Sequence, residues 1–358
     1  MLTVGEVTSP APHPAKVGID LFGCNRSKVT GWERYAINLA QFTAKELASQ
    51  VAADLEICDV TAAATRGGSL EHLARGLGHF AVGAPRKARS LELDLYHAPT
   101  FPPGFVPATS KVVWTVHDDL ILGGHAEYAR RASALWVPLA RARLGRVDRF
   151  VTFTDTVRNE LFALGIDDDR ISIVRPASAQ LPAPSSAPAL VDASGAAQPM
   201  PEVFVLVVGT LEERKNPALA ASIAQAAGLP VVFVGGSSGV AEASLGEGCL
   251  FAGRCSDQEL AWCYANAAAL LTASSYEGVN LPLFEALGLG LPVAASAIDV
   301  HVELAGHSVS LFDPSSVTEG AQALGAAVVK GRGAPLQLLD SWEQAARIYL
   351  DLYRSVLG

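Results

Sequence analysis

Residues 203–236 read VFVLVVGTLEERKNPALAASIAQAAGLPVVFVGG, and this stretch decides the fold class. Its two apolar runs, 203–208 and 230–234, are typical of buried strands. Between them, residues 217–227 begin with proline and continue mainly in alanine and other helix formers. A strand, a helix and a second strand in this order predict a parallel β-α-β unit.

The same alternation of strands and helices runs through the N-terminal half. Residues 16–23 form an apolar run that ends in glycine, and residues 31–43 carry apolar side chains at helical spacing. Further short apolar runs follow at 95–98, 112–116 and 149–154. The sequence therefore predicts an α/β protein with two doubly wound, Rossmann-like parallel-sheet domains facing each other across a cleft. Ligands of such domains bind at the carboxyl ends of the strands.

Changes in composition predict the domain boundaries. We expect a disordered N-terminus at 1–15, a first Rossmann-like domain at 16–178 and a second at 202–335. Residues 179–201, between the domains, are rich in proline, alanine and serine without periodicity, which predicts a linker or an exposed loop. Residues 336–358 contain a helix with an apolar stripe, and we expect it to pack back on the N-terminal domain.

Composition limits the class of protein and its partners. The 358 residues are 50% hydrophobic and 18% charged, which suits two packed cores. A net charge of −9 argues against a nucleic-acid partner, because such binding relies on Lys and Arg neutralising phosphates. The five cysteines form no CxxC pair, so we expect reduced thiols in a cytoplasmic protein and neither a zinc site nor a disulfide framework.

One segment raises the question of a membrane surface. No run of about 18 apolar residues occurs, so a membrane span is not predicted. A predicted amphipathic helix nevertheless carries Arg130, Arg131, Arg141, Arg143, Arg146 and Arg149. Two interpretations stay open: a solvated helix face, which is favoured, and a weak peripheral contact of a cytoplasmic protein with the inner face of the membrane.

The most informative string for chemistry is SSYEGVNLPLFEAL at 274–287. Pro282 suits the first turn of a helix, so Glu277 falls in the preceding loop and Glu285 about one turn inside the helix. Free amides and the helix dipole at such a helix start can bind a phosphate. A carboxylate on either side can accept hydrogen bonds from the vicinal hydroxyls of a sugar or ribose.

A second string, GTLEERKNP at 209–217, follows the predicted strand 203–208. Arg214 and Lys215 are adjacent cations in a loop between strand and helix, where they can bracket a diphosphate. They can also stabilise the negative charge that develops on a leaving nucleoside diphosphate. On this feature alone, two solvated cations beside Glu212 and Glu213 are an equal alternative.

Taken together, these strings resemble the signature of glycosyltransferase family 4, whose members are retaining enzymes of the GT-B fold. The string with Glu277 and Glu285 is similar to the family's paired-glutamate motif, and GTLEERKN is similar to its diphosphate loop. The remaining matches are TGWERY at 30–35, VHD at 116–118, ELAG at 303–306 with LFDP at 311–314, and SWE at 341–343. The resemblance spans about residues 16–357 with its motifs in order.

This resemblance implies roles for individual residues. It implies a donor site in the C-terminal domain made of Gly31, Gly209, Thr210, Arg214, Lys215, Glu277, Gly278, Val279, Asn280, Leu281 and Glu285. Arg214 and Lys215 hold the diphosphate, Glu277 the sugar hydroxyls and Glu285 the ribose. In the N-terminal acceptor domain, His117 faces the anomeric region, with His97 and Asp118 as weaker acceptor candidates. For a lone histidine such as His117, a hydrogen-bonded structural role is an equal alternative.

The function expected from the resemblance is retaining transfer of mannose, glucose or a deoxysugar from a nucleoside-diphosphate sugar. The acceptor is a sugar or a lipid-linked glycan, and neither cofactor nor metal is expected. Two alternatives stay open: a GT-B epimerase acting on the sugar nucleotide, and a non-catalytic or redox α/β protein. The three glycines in GGSSG at 235–239 have the wrong spacing for a dinucleotide fingerprint. Asn280 departs from the family pattern, which often has glycine there, and can either contact the sugar or narrow its pocket.

Overall fold

A computed structural model describes residues 13–22, 24, 31–50, 54–60, 69–125, 128, 133–177, 181–336 and 340–358. These residues form two α/β domains, each built around one parallel sheet. Of the N-terminus predicted to be disordered, residues 1–12 lie outside the described residues, and the first strand begins at Ala15. No helix in the described part of the chain is long and apolar enough to cross a membrane.

The N-terminal sheet has six strands in the order β2-β1-β3-β4-β5-β6, and every pairing is parallel. Its elements are β1 Ala15–Ile19, α1 Gly31–Ala48, β2 Leu55–Asp59, α2 Ser69–Gly78, α3 Ala84–Leu91, β3 Leu95–Ala98, β4 Lys111–Thr115, α4 Ser133–Arg143, β5 Arg149–Thr152, α5 Asp155–Ala163 and β6 Ile171–Ile173. Both faces of the sheet are covered. Along β4, Val113 enters one apolar core while Val112 and Trp114 enter the other, because successive side chains alternate.

The C-terminal sheet has eight strands in the order β14-β13-β12-β9-β10-β11-β7-β8. Its elements, with the last helix, are β7 Leu190–Asp192, β8 Ala197–Gln198, β9 Val205–Val208, α6 Pro217–Ala226, β10 Val231–Val234, β11 Cys249–Gly253, α7 Asp257–Asn266, β12 Ala269–Thr272, α8 Leu281–Gly288, β13 Val293–Ser296, α9 Asp299–Leu304, β14 Ser310–Phe312, α10 Val317–Lys330 and α11 Trp342–Leu357. The strands β9 to β14 pair in parallel, as the β-α-β pattern predicts.

The segment predicted to be a linker contains more structure than its composition indicates. The strands β7 and β8, inside 179–201, form an antiparallel hairpin, and β7 pairs with β11, the last of the parallel strands. Leu190 is buried in the core of the C-terminal domain. Residues 190–198 are thus part of the second sheet. The pairing was missed because a three-residue strand among prolines and alanines carries no periodic signal.

The last helix, α11, returns to the N-terminal domain and packs along α1. Ser341 and Gln344 form a capping box at its first turn, which satisfies amides that lack an intrahelical acceptor. Tyr349 and Tyr353 of α11 are buried in the same core as Leu39 of α1. The chain therefore crosses between the domains twice, and its last helix is structurally part of the first domain.

Candidate functional site

Three loops at the carboxyl edges of the two sheets form the candidate site. Residues 273–280, called here the Glu277 loop, connect β12 to α8, and residues 209–216, called the Arg-Lys loop, connect β9 to α6. Residues 116–118 follow β4 in the N-terminal domain. Because all three leave the carboxyl ends of parallel strands, they meet at the interface of the domains.

Glu277 is the centre of a charged network in the C-terminal domain. Its carboxylate accepts hydrogen bonds from Arg214 Nη1 at 2.6 Å, Lys215 Nζ at 2.6 Å and Ser274 Oγ at 2.8 Å. Glu277 is only 5% exposed, so both of its oxygens are held by the protein. On the other side, Arg214 Nη2 lies 2.7 Å from Glu212 Oε1. The two predicted cations and the first predicted glutamate are thus brought into direct contact.

Burial and charge act against each other in this network. Burial opposes ionisation of Glu277, but Lys215 and Arg214 outweigh it and lower the pKa of its carboxyl far below the ordinary range. Burial also disfavours the charged form of Arg214, while Glu277 and Glu212 outweigh that effect and raise its pKa. Both groups therefore stay charged. A network of fixed charges in a site shielded from water can bind a diphosphate and stabilise it as it leaves.

Glycine is required by the backbone at the start of the Arg-Lys loop. Gly209 has φ of 138°, and a Cβ there would lie 2.9 Å from Lys215 Cε. The Lys215 side chain therefore crosses over Gly209 to reach Glu277. Thr210, the next predicted donor residue, is half-buried beside it. The same close approach recurs at Gly235, where a Cβ would meet the Gly209 carbonyl oxygen at 2.0 Å.

The first turn of α8 is set by Asn280, which has φ of 59° in the left-handed region. Its side-chain amide lies 2.9 Å from Thr272 Oγ1 and 2.8 Å from His301 Nε2, and Asn280 is 5% exposed. His301 Nδ1 in turn lies 2.8 Å from the Ser296 carbonyl oxygen. The Asn280 side chain thus points into its own domain and braces the Glu277 loop.

Glu285 lies inside α8, as predicted. Its Oε2 accepts a hydrogen bond from the Tyr264 hydroxyl at 2.6 Å. Burial raises the pKa of Glu285, and the Tyr264 hydrogen bond opposes that shift. Of the residues near it, Arg34 of α1 forms an ion pair of 2.6 Å with Asp257 of α7 and so joins the two domains. The predicted ribose-binding carboxylate is therefore at the domain interface, with one oxygen held by a tyrosine.

Two further predicted donor residues also meet across the interface. A Cβ on Gly31 would lie 3.5 Å from Leu281 Cδ1, an ordinary contact, so no atom among the described residues forces glycine at the start of α1. Val279 packs with the apolar cores on both sides. Gly278 is more tightly enclosed, because a Cβ there would lie 1.8 Å from the His117 carbonyl oxygen. The Glu277 loop thus rests directly on the N-terminal domain.

His117 follows the end of β4, and its carbonyl oxygen lies against Gly278 of the Glu277 loop; its role toward the anomeric centre stays a prediction. Its Nε2 lies 2.7 Å from the Pro99 carbonyl oxygen, and its ring packs edge-to-face on Tyr35 and Phe153. Burial lowers the pKa of His117 to about 4, so the imidazole is neutral at pH 7. Burial likewise raises the pKa of Asp118 to about 6, while Arg214 opposes that rise.

The structure does not support an acceptor role for His97. The side chain is 0% exposed, and its two ring nitrogens lie 2.7 Å from the Tyr353 hydroxyl and 2.8 Å from Thr115 Oγ1. Burial lowers the pKa of His97 to about 3. His97 is therefore a core histidine under α11. The prediction was wrong because the return of the last helix over the end of β3 cannot be read from residues 95–99.

Sequence reasoning missed a cluster in which Tyr276 of the Glu277 loop enters the N-terminal domain. Its hydroxyl lies 2.9 Å from Asp119 Oδ1 and 3.0 Å from Glu160 Oε2, and its ring stacks on His125 at 3.9 Å. Asp119, His125 and Glu160 present ligand atoms within 4.8 Å of one another. Since these groups hydrogen bond to each other and to Tyr276, the cluster is explained without an ion, and metal independence stays a prediction.

The described arginines of the arginine-rich segment form hydrogen bonds within the N-terminal domain. Arg130 and Arg131 lie outside the described residues. The other four arginines bind backbone carbonyl oxygens: Arg141 that of Leu122, Arg143 those of Pro103 and Gly104, Arg146 those of Pro107, Ala108 and Ser110, and Arg149 that of Asp169. These four side chains tie loops to the domain, and a peripheral membrane contact of the segment stays a prediction.

Two parallel-sheet domains whose charged loops meet across a cleft define a GT-B protein. The family model described as "Glycosyl transferases group 1" matches residues 194–347, and the model described as "Glycosyltransferase Family 4" matches residues 29–177. The two matches cover the two domains in order. The chain therefore belongs to the glycosyltransferases of the GT-B family 4 type. No curated protein sequence matched the chain significantly.

Solved structures with the same architecture cover nearly the whole chain. Sucrose-phosphate synthase from Thermosynechococcus elongatus is 18% identical with a TM-score of 0.66, over 96% of this chain and 99% of that one. HepE of Anabaena, in complex with UDP and glucose, is 15% identical with a TM-score of 0.62, over 95% and 100%. WaaG, a glycosyltransferase involved in lipopolysaccharide biosynthesis, is 16% identical with a TM-score of 0.58, over 94% and 95%. At these identities the likeness shows the fold.

Proposed function

We propose that this protein transfers a hexose from a nucleoside-diphosphate sugar to a hydroxyl group of a sugar or lipid-linked glycan, with retention of anomeric configuration. The observation that carries the proposal is the buried contact of Glu277 with both Arg214 and Lys215. Such a site holds a carboxylate for sugar hydroxyls beside two cations for the diphosphate. Polysaccharide or glycoconjugate synthesis is the process in which we expect this transfer.

In the proposed reaction, the bond between the anomeric carbon and the diphosphate oxygen breaks while the acceptor oxygen bonds to the same face of that carbon. The acceptor proton passes to the leaving diphosphate, so neither a protein nucleophile nor a metal is required. Arg214, Lys215 and the amides at the start of α8 stabilise the charge on the leaving group. His117, neutral at pH 7, lines the opposite side without adding charge.

UDP is the first nucleotide to test, because HepE and the pneumococcal O-GlcNAc transferase GtfA were solved with UDP. The experiment is a thermal-shift screen of the purified protein with UDP, GDP, dTDP, ADP and NAD. A ligand that binds only the folded state raises the melting temperature. We expect one nucleoside diphosphate to stabilise the protein. Stabilisation by NAD alone would overturn the proposal.

Product analysis then tests the reaction class. The matching nucleotide sugar is incubated with the protein and a panel of sugar acceptors, and the products are separated. A glycoside of the acceptor with unchanged anomeric configuration supports retaining transfer. An epimerised nucleotide sugar formed without any acceptor would instead identify an epimerase, and an inverted glycoside would refute retention.

A further inference from the structure

The N-terminus of α5 is one of the places where the two domains contact each other. Glu303, on α9 of the C-terminal domain, reaches this helix start in the N-terminal domain. Its carboxylate accepts hydrogen bonds from Asp155 N at 2.9 Å, Thr156 N at 3.0 Å and Thr156 Oγ1 at 2.9 Å. A carboxylate at a helix N-terminus satisfies amides that lack an intrahelical acceptor and is favoured by the helix dipole. One domain thus caps a helix of the other.

One additional contact holds the capping carboxylate in place. Arg175, in the stretch that leads from the first domain to the second, lies 3.4 Å from Glu303 Oε1. The Glu303 side chain is 18% exposed, so the pair is partly shielded from water. Hydrogen bonds to a charged acceptor are stronger than neutral ones. This contact is consequently stronger than an ordinary surface ion pair.

The same helix start also contacts the Glu277 loop. Thr154, the N-cap of α5, accepts a hydrogen bond from Val157 N and donates one from Oγ1 to the Gly278 carbonyl oxygen at 3.2 Å. The α-carbon of Gly278 lies against the His117 carbonyl oxygen without room for a side chain. Six residues further along α5, Glu160 binds the Tyr276 hydroxyl at 3.0 Å. The helix therefore touches the loop on both sides of Glu277.

The helix α9 contacts both α5 and the Glu277 loop, so these three elements are linked to one another. Besides Glu303 it carries His301, which binds the Asn280 side chain at the other end of the Glu277 loop. The loop is therefore fixed to α9 through Asn280, α9 is fixed to α5 through Glu303, and α5 is fixed to the loop through Thr154. Removing one link leaves the other two, but the orientation of the domains is then less constrained.

We propose that Glu303 is a positioning residue that holds the two domains closed on the Glu277 loop. It acts through α5 and touches none of the reacting atoms. As far as catalysis is concerned, this inference rests on the proposed function, because the closed arrangement is the one in which His117 and the donor site face each other. As far as domain closure is concerned, it can be tested without any substrate.

The structural test compares Glu303→Ala and Glu303→Gln with the unchanged chain by small-angle X-ray scattering in the absence of ligand. Glu259→Ala is the matched control, since Glu259 caps α7 of its own domain by accepting from Ser256 N at 2.8 Å. We expect a larger radius of gyration for Glu303→Ala, a smaller increase for Glu303→Gln, and none for Glu259→Ala. Equal radii for Glu303→Ala and the unchanged chain would overturn the proposal.

A kinetic test separates positioning from folding. With the donor identified, Glu303→Ala is expected to raise the donor KM roughly tenfold, the effect of losing one charge-assisted contact, at a melting temperature close to that of the control. Combining Glu303→Gln with Thr156→Val should cost less than the sum of the two single changes, because both remove the same contact. Additive effects would contradict the proposed positioning role of Glu303. If no nucleotide or activity is found for any variant, the proposed function fails, while the scattering result still decides the closure.

Discussion

The two sides of the cleft are built on different physical principles. On the C-terminal side, Glu277, Arg214 and Lys215 form a network of opposite charges with contacts of 2.6 Å. On the N-terminal side, His117 is neutral and half-buried, and it is held by a backbone carbonyl and two aromatic rings. The charged side has a recognisable sequence pattern because its residues come from two loops of one domain. The neutral side depends on packing among distant elements.

The largest effect is expected on the charged side. Replacing Lys215 by Ala should lower turnover about 10²- to 10³-fold, as loss of one group that stabilises a developing charge does. The melting temperature should change much less, because Arg214 remains to pair with the buried Glu277. Steady-state kinetics and a thermal melt measure the two quantities. Arg158→Ala, which removes an exposed ion pair with Asp168, is the control. A loss of stability as severe as the loss of turnover would mark Lys215 as structural.

Two histidines of the N-terminal domain, His97 and His117, are expected to differ in their effects on stability and turnover. Changing His97 to Leu leaves the Tyr353 hydroxyl and Thr115 Oγ1 without this partner in the core, which should cost roughly 2 to 4 kcal/mol of stability. Changing His117 to Leu should lower turnover more than stability, because only one hydrogen bond is lost at the cleft edge. Urea unfolding and kcat of both variants check this. If His97→Leu mainly lowered turnover and His117→Leu mainly lowered stability, the assignment of His97 to the core and His117 to the site would be wrong.

A smaller effect on stability is expected from removing the Asn280 side chain, which braces the Glu277 loop. Asn280→Gly relieves a left-handed backbone conformation but removes the hydrogen bonds to Thr272 and His301, so we expect a net loss of about 1 kcal/mol. Glu92→Gly is the matched control, because Glu92 has φ of 54° and an exposed side chain. That variant should be neutral or slightly stabilised. If both glycine variants behave alike, the Asn280 side chain does not brace the loop.

The last comparison concerns the pH dependence of stability at the contact between the two sides. Burial raises the pKa of Glu160 from 4.5 to about 7, with the neighbouring Asp119 adding to the rise. The folded state then binds more protons than the unfolded state in this window, so the stability contributed by Glu160 falls as pH rises from about 4.5 to about 7. Melting temperatures of the unchanged chain and Glu160→Gln should converge at low pH. Parallel curves across the window would show that Glu160 does not titrate there.

Much of the charged side was predicted from sequence, and less of the neutral side. The strings at 209–217 and 274–287 placed Glu277 beside Arg214 and Lys215, and the structure brings those side chains into contact. The Tyr276 contacts with Asp119 and Glu160 were not predicted, because partners 157 and 116 residues away leave no local pattern. His97 was assigned to the cleft for the same reason, since its partner Tyr353 is 256 residues away.

The sequence by itself determined the alternation of strands and helices, the two sheets, the order of the motifs and the charged groups of the C-terminal loops. These features follow from local periodicity and from residues close together in the chain. Only the tertiary structure decided that α11 buries His97, that residues 190–198 extend the second sheet, and that Glu303 caps α5. Each of these joins segments that are distant in sequence, and its free energy comes from burial and hydrogen bonding that exist only once the chain has folded.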